Sequence, residues 1–139
     1  MTNEEQPLWR PITDFPLIAS IIDGILENTE EQYQTVSEIK DKPHVLDDAI
    51  VERTIKLYRD QLDNVSLFEE QIRLWSASGL TSRQRQEVQR LAGEVAELKE
   101  KSEAILKLMD TMKDRTIDKI SAKDDIEIAL DVLSGKLKL

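Results

Sequence analysis

The sequence predicts an all-α protein: an antiparallel three-helix bundle built on a coiled-coil hairpin, with a short C-terminal fourth helix and an extended N-terminal arm. Two observations carry that prediction. Val88, Leu91, Val95, Leu98, Ser102, Ile105, Met109 and Met112 are spaced alternately three and four residues apart, a heptad seam that lies along a neighbouring helix. Two further long stretches upstream repeat their apolar residues at helical spacing, and the breaks between the stretches are short, so consecutive helices fold back on one another.

At 139 residues the chain is expected to form one domain, with residues 1–13 as an arm and 14–139 as a single helical unit. The arm contains Pro7 and Pro11, and its adhesive groups are Leu8, Trp9 and Ile12. Arms fray unless they dock, so a Trp here implies docking on the bundle or on a second subunit. Met1 to Gln6 is polar and acidic, which does not read as a targeting segment.

Thr13 and Asp14 are candidate caps for the first helix, with Pro16 tolerated in its first turn. That helix is expected to run to about Asp41. Its inward stripe is Ile18, Ile21, Ile22, Ile25, Thr29, Tyr33, Val36 and Ile39, widened by Leu17 and Leu26. Such a wide stripe exceeds what one neighbour covers, which points to self-association. Gly24 costs this helix ~1 kcal/mol relative to Ala and suggests a close helix crossing.

Pro43 ends the first helix, and Asp47 or Asp48 begins the second. Its stripe is Ile50, Val51, Thr54, Leu57, Tyr58, Gln61, Leu62, Val65, Phe68, Ile72 and Trp75. Gly79 suits a left-handed C-terminal cap with Leu80 as its hydrophobic contact. Thr81 and Gln84 form a capping box for the third helix, expected to reach Ile120 and to outrun the second by roughly two turns. Folding about Gly79 sets Ile72 against Val88, Val65 against Val95, and Tyr58 against Ser102, the polar member of the seam. The fourth helix should start near Ser121 and Asp124 and turn Ile126, Ala129, Leu130 and Leu133 inward. The overhanging Lys113–Ile120 then needs cover, which makes Ile117 and Ile120 interface candidates beside Leu8, Trp9, Ile12, Leu17 and Leu26.

The composition narrows the function. A formal net charge of -9 argues against nucleic acid and against an anionic membrane surface. The most apolar stretch, Phe15–Leu26, is shorter than the ~20 residues a membrane span needs. The chain has no cysteine, which removes thiol chemistry and fits a cytoplasmic protein. Its one histidine, His44, stands in a turn beside Asp47 and Asp48, where a contact with a carboxylate or a helix end is the simplest reading. A single histidine cannot supply the two Glu-x-x-His motifs of a di-iron bundle. Arg83, Arg85 and Arg90, with Arg73 nearby, form the local excess of positive charge; pairing with Glu87 accounts for part of it. Glu94 and Lys99 occupy the g and e positions that link parallel coiled-coil partners.

Glu27-x-x-Glu30 followed by Asp60-x-x-Asp63 on the next helix resembles the paired carboxylates of the all-α nucleotide pyrophosphohydrolases, which hold magnesium. The resemblance covers four residues and departs from the family pattern at position 60, where Asp replaces Glu. It implies a magnesium-dependent hydrolase. At about 100° per residue, however, both pairs turn away from their helices' apolar stripes. The expectation is therefore a non-enzymatic interaction or assembly module without cofactor, acting as a homo-oligomer, in the simplest case a dimer. The alternatives are the hydrolase and a regulatory partner that binds one helix of a larger protein.

Overall fold

The computed structural model describes residues 9–119. It is a helical bundle: a 3-10 turn at Ile12–Asp14, then α1 (Phe15–Ile39), a second 3-10 turn at Pro43–Val45, α2 (Asp48–Ser76) and α3 (Ser82–Met112), with no strand among the described residues. Helical geometry resumes at 117–119, the last of the described residues. The expected Ser121/Asp124 box and the apolar positions beyond it lie outside the described residues.

The heptad seam is the spine of the molecule. All eight of its residues are buried, so α3 turns one continuous strip inward along its whole length. Both other helices pack closely against α3, whereas α1 and α2 approach each other less closely. Helix one turns back along helix two, as expected, but its closest packing is against α3. The chain runs up, down and up, so α1 is antiparallel to α2 and parallel to α3. At one end Phe15, Ala19, Ile22 and Leu26 share a core with Val65, Trp75, Val88, Leu91, Val95 and Leu98. At the other, Val36 joins Leu46, Val51, Tyr58, Ile105, Met109 and Met112. Complete burial of a single Leu or Ile side chain contributes ~1.5–3 kcal/mol, so this double cluster dominates the stability.

The caps follow from local chemistry. The Asp47 carboxylate accepts from the Ile50 amide at 2.7 Å and opens α2. Thr81 and Gln84 close the reciprocal box of α3 at 3.2 and 2.9 Å. Three other expectations are revised. Gly79 does not adopt a left-handed conformation; α2 stops through right-handed Ala77, and the Ser78 hydroxyl donates to the Trp75 carbonyl at 2.6 Å. Gly24 is not at a close crossing, because a Cβ there would meet nothing within 4 Å.

The third revision concerns the end of α3, which stops at Met112 rather than Ile120. With 31 residues against 29 in α2 it has no two-turn overhang. The chain instead turns at 113–116 and is fastened to the start of α2. The Ile117 amide donates to the Leu46 carbonyl at 2.9 Å, and buried Thr116 donates to Asp48 at 2.6 Å. Lys119 pairs with Asp48 at 2.8 Å, and the Asp48 amide donates to Asp118 at 2.8 Å. The Lys119 and Thr116 hydrogen bonds hold the Asp48 carboxyl below its ordinary pKa.

Candidate interaction surface

Three polar side chains fix how the helices meet. Ser102 is the seam's polar residue, and its partner is Gln61 rather than the expected Tyr58. The Gln61 amide donates to Ser102 Oγ at 2.8 Å and to Thr29 Oγ1 at 3.0 Å. Each hydroxyl passes its own proton to the carbonyl four residues earlier, Leu98 and Ile25 respectively, both at 2.7 Å. Thr29 and Ser102 are fully buried. Buried polar groups need such partners, and here one amide satisfies a hydroxyl on each of the other two helices.

The arm docks on its own bundle from Arg10 onward. The Arg10 carbonyl accepts from Trp75 Nε1 at 2.9 Å and from Gln71 Nε2 at 3.2 Å, while the Arg10 amide donates to Gln71 Oε1 at 2.7 Å. Arg10 also pairs with Asp14 at 3.6 Å. Ile12 packs on the core, and the Phe15 ring meets Trp75 at 5.6 Å between centroids. Trp75 is thus internal, as its place in the stripe of α2 predicts.

The remaining interface candidates separate. Trp9 stays 41% exposed beside the pinned Arg10. Leu17 is 60% exposed, and Ile21, one turn further along α1, is 45% exposed although the sequence pattern placed it inward. Leu26, by contrast, belongs to the internal core. The inward face of α1 is rotated from the predicted one: Ala19 and Leu26 point in, while Leu17 and Ile21 point out. Ile117 is exposed at the opposite end of the bundle. Leu8 and Ile120 lie outside the described residues. Exposed Ile50 and Leu57 also leave the predicted stripe of α2.

The charged groups behave differently from their sequence pattern. Glu27, Glu30, Asp60 and Asp63 are all exposed, and the structure does not bring the two pairs together. Among the described residues no set of three or more histidine or carboxylate side chains could hold a metal ion. Glu30 instead meets Glu97 of α3, which raises its pKa. Lys101 sits over the Tyr33 ring at 4.5 Å. Arg83 pairs with Glu87 at 3.4 Å, as expected for a solvated surface, and Arg73 and Arg90 pair with Glu70 and Glu94. His44 is exposed in its turn.

Glu94 does occupy a position that faces a parallel helix, but that helix is α1 of the same chain and the facing residue is acidic. Burial, then the neighbouring carboxyl of Asp23, pushes its carboxyl up to about 7 against the opposing pull of Arg90. Sequence reasoning missed this pair, Ile21 and the anchoring role of Gln71. Gln71 falls four residues before Trp75, and a buried amide at that spacing is the available signal.

No helix of the described residues is long and apolar enough to cross a membrane. Comparison with protein families, with curated proteins and with solved structures gives no match for the chain.

Proposed function

We propose that this protein is a non-enzymatic protein–protein interaction and assembly module that self-associates through the end of the bundle where the arm enters. The observation that carries this reading is the exposure of Leu17 and Ile21 on successive turns of α1, at the end where Trp9 is held out by its pinned neighbour Arg10. Aromatic and aliphatic anchors on a rigid frame are the groups that dominate association energies. A docked backbone lowers the entropy lost when those groups are covered. A cytoplasmic setting belongs to the same reading, on the strength of the acidic, cysteine-free composition.

Light scattering coupled to sizing tests the proposal. The intact chain should show a mass above that of the monomer, and Leu17→Glu with Ile21→Glu should restore the monomer without loss of helicity. An intact chain that stays monomeric at high micromolar concentration removes the proposal. The magnesium-hydrolase alternative is tested in parallel by thermal shift, because a ligand bound only by the folded state raises Tm by mass action. The reading expects no shift with millimolar magnesium and nucleotides.

A further inference from the structure

Asp23 and Glu94 face each other across parallel α1 and α3, and each is followed or preceded by glycine: Gly24 on α1 and Gly93 on α3. Neither glycine is there for space, since a Cβ at either would meet nothing within 4 Å. Glycine inside a helix weakens it, so both helices are softest at one level, and like charges meet at that level.

The local hydrogen bonding is incomplete. Glu94 Oε1 accepts from Arg90, whereas Glu94 Oε2 is buried and accepts from no donor. A carboxylate oxygen in that position is costly unless something donates to it. A proton held between Glu94 and Asp23 would supply the donor. The other groups acting on Glu94 are Arg90 and Glu97 on its own helix, and none comes from α2. Along the same seam Glu30 faces Glu97, with Lys101 and Glu27 adjacent. The positive charge available to the seam is thus Arg90 and Lys101, against five carboxyls.

We propose that the Asp23–Glu94 pair, set between Gly24 and Gly93, is a proton-controlled hinge: α1 and α3 close along the seam when Glu94 carries a proton to place between the two carboxyls and part locally when Glu94 is ionised. Parting would uncover Ile22, Leu91 and Leu98, which are fully buried in the closed form. The device is independent of the self-association surface, because it lies on the α3 side of α1.

The direction with pH follows from linkage. A carboxyl whose pKa is raised in the closed form stabilises that form at low pH, and the stabilisation disappears as pH rises through about 7. With the open form at an ordinary Glu value, the opening equilibrium should grow about tenfold between pH ~6 and pH ~8.5. Amide exchange of residues 19–27 and 91–98, corrected for intrinsic rates, should show that rise in the wild type. Glu94→Gln should abolish it, since the amide donates at every pH. Gly24→Ala with Gly93→Ala should reduce opening at both pH values. A flat wild-type profile, or an unchanged rise in Glu94→Gln, overturns the hinge. Should Glu94→Gln fail to fold, carboxyl NMR of the wild type decides: a Glu94 midpoint near 7 supports the proposal, and one in the ordinary glutamate range removes it.

Discussion

Gln61 donates to Ser102 across the α2–α3 interface at 2.8 Å, and with its second proton reaches Thr29 of α1 at 3.0 Å. One amide therefore sets the register of all three helices. Gln61→Ala leaves two buried hydroxyl oxygens short of a donor and should destabilise the fold by about 1–3 kcal/mol in chemical denaturation. Replacing the whole set with apolar residues (Thr29→Val, Gln61→Leu, Ser102→Ala) should cost far less than the sum of the single changes. Additive losses would show that the three side chains do not act as a unit.

The arm is held by Gln71 and Trp75 through the Arg10 backbone. Trp75→Phe keeps the ring against Phe15 but removes the indole donor, so a loss of about 1 kcal/mol is expected. Gln71→Ala should release the arm, seen as faster exchange at the Arg10 amide and a red-shifted Trp9 emission. An arm that stays protected in Gln71→Ala would mean that other contacts hold it.

Gly24 and Gly93 stand at open helical positions. Alanine at each should therefore stabilise the fold by about 0.5–1 kcal/mol, read as a higher Tm. Destabilisation at either position would contradict the absence of neighbours around its Cβ.

Much of this was legible from spacing alone. The strict three-four alternation from Val88 to Met112 can bury one face only, and all eight residues are buried. The Thr81 box and the Asp47 cap are local chemistry, and local sequence reveals them. The face of α1 was harder, because apolar residues surround much of its first half and identity alone does not distinguish Ile21 from Ala19. The end of α3 was illegible for another reason. No proline or glycine stops it; bonds from residues 116–119 to Leu46 and Asp48, distant in sequence, turn the chain. Of the residues the sequence offers as interface candidates, Trp9, Leu17 and Ile117 are exposed, while the opposition of Asp23 to Glu94 required the parallel register of α1 and α3.

Asp48 gathers the far corner. Its folded pKa is lowered by hydrogen bonds from Lys119 and Thr116, so its contribution is present above the ordinary Asp range and is lost as pH falls through the lowered value. Asp48→Asn should flatten the acid side of the stability profile and leave the neutral side's slope unchanged. An acid limb identical to the wild type would show that the corner contributes nothing through ionisation.

The opposition of Asp23 to Glu94 and the face that α1 leaves exposed both depend on α1 running parallel to α3, with its start beside Val88–Leu98 and its end beside Ile105–Met112. Methyl-to-methyl NOEs in selectively labelled protein test that register most directly. The structure predicts cross-peaks linking Ile22 with Leu91 or Val95, and Val36 with Ile105 or Met109. Cross-peaks pairing Ile22 with Ile105 and Val36 with Leu91 would reverse α1 and contradict the arrangement.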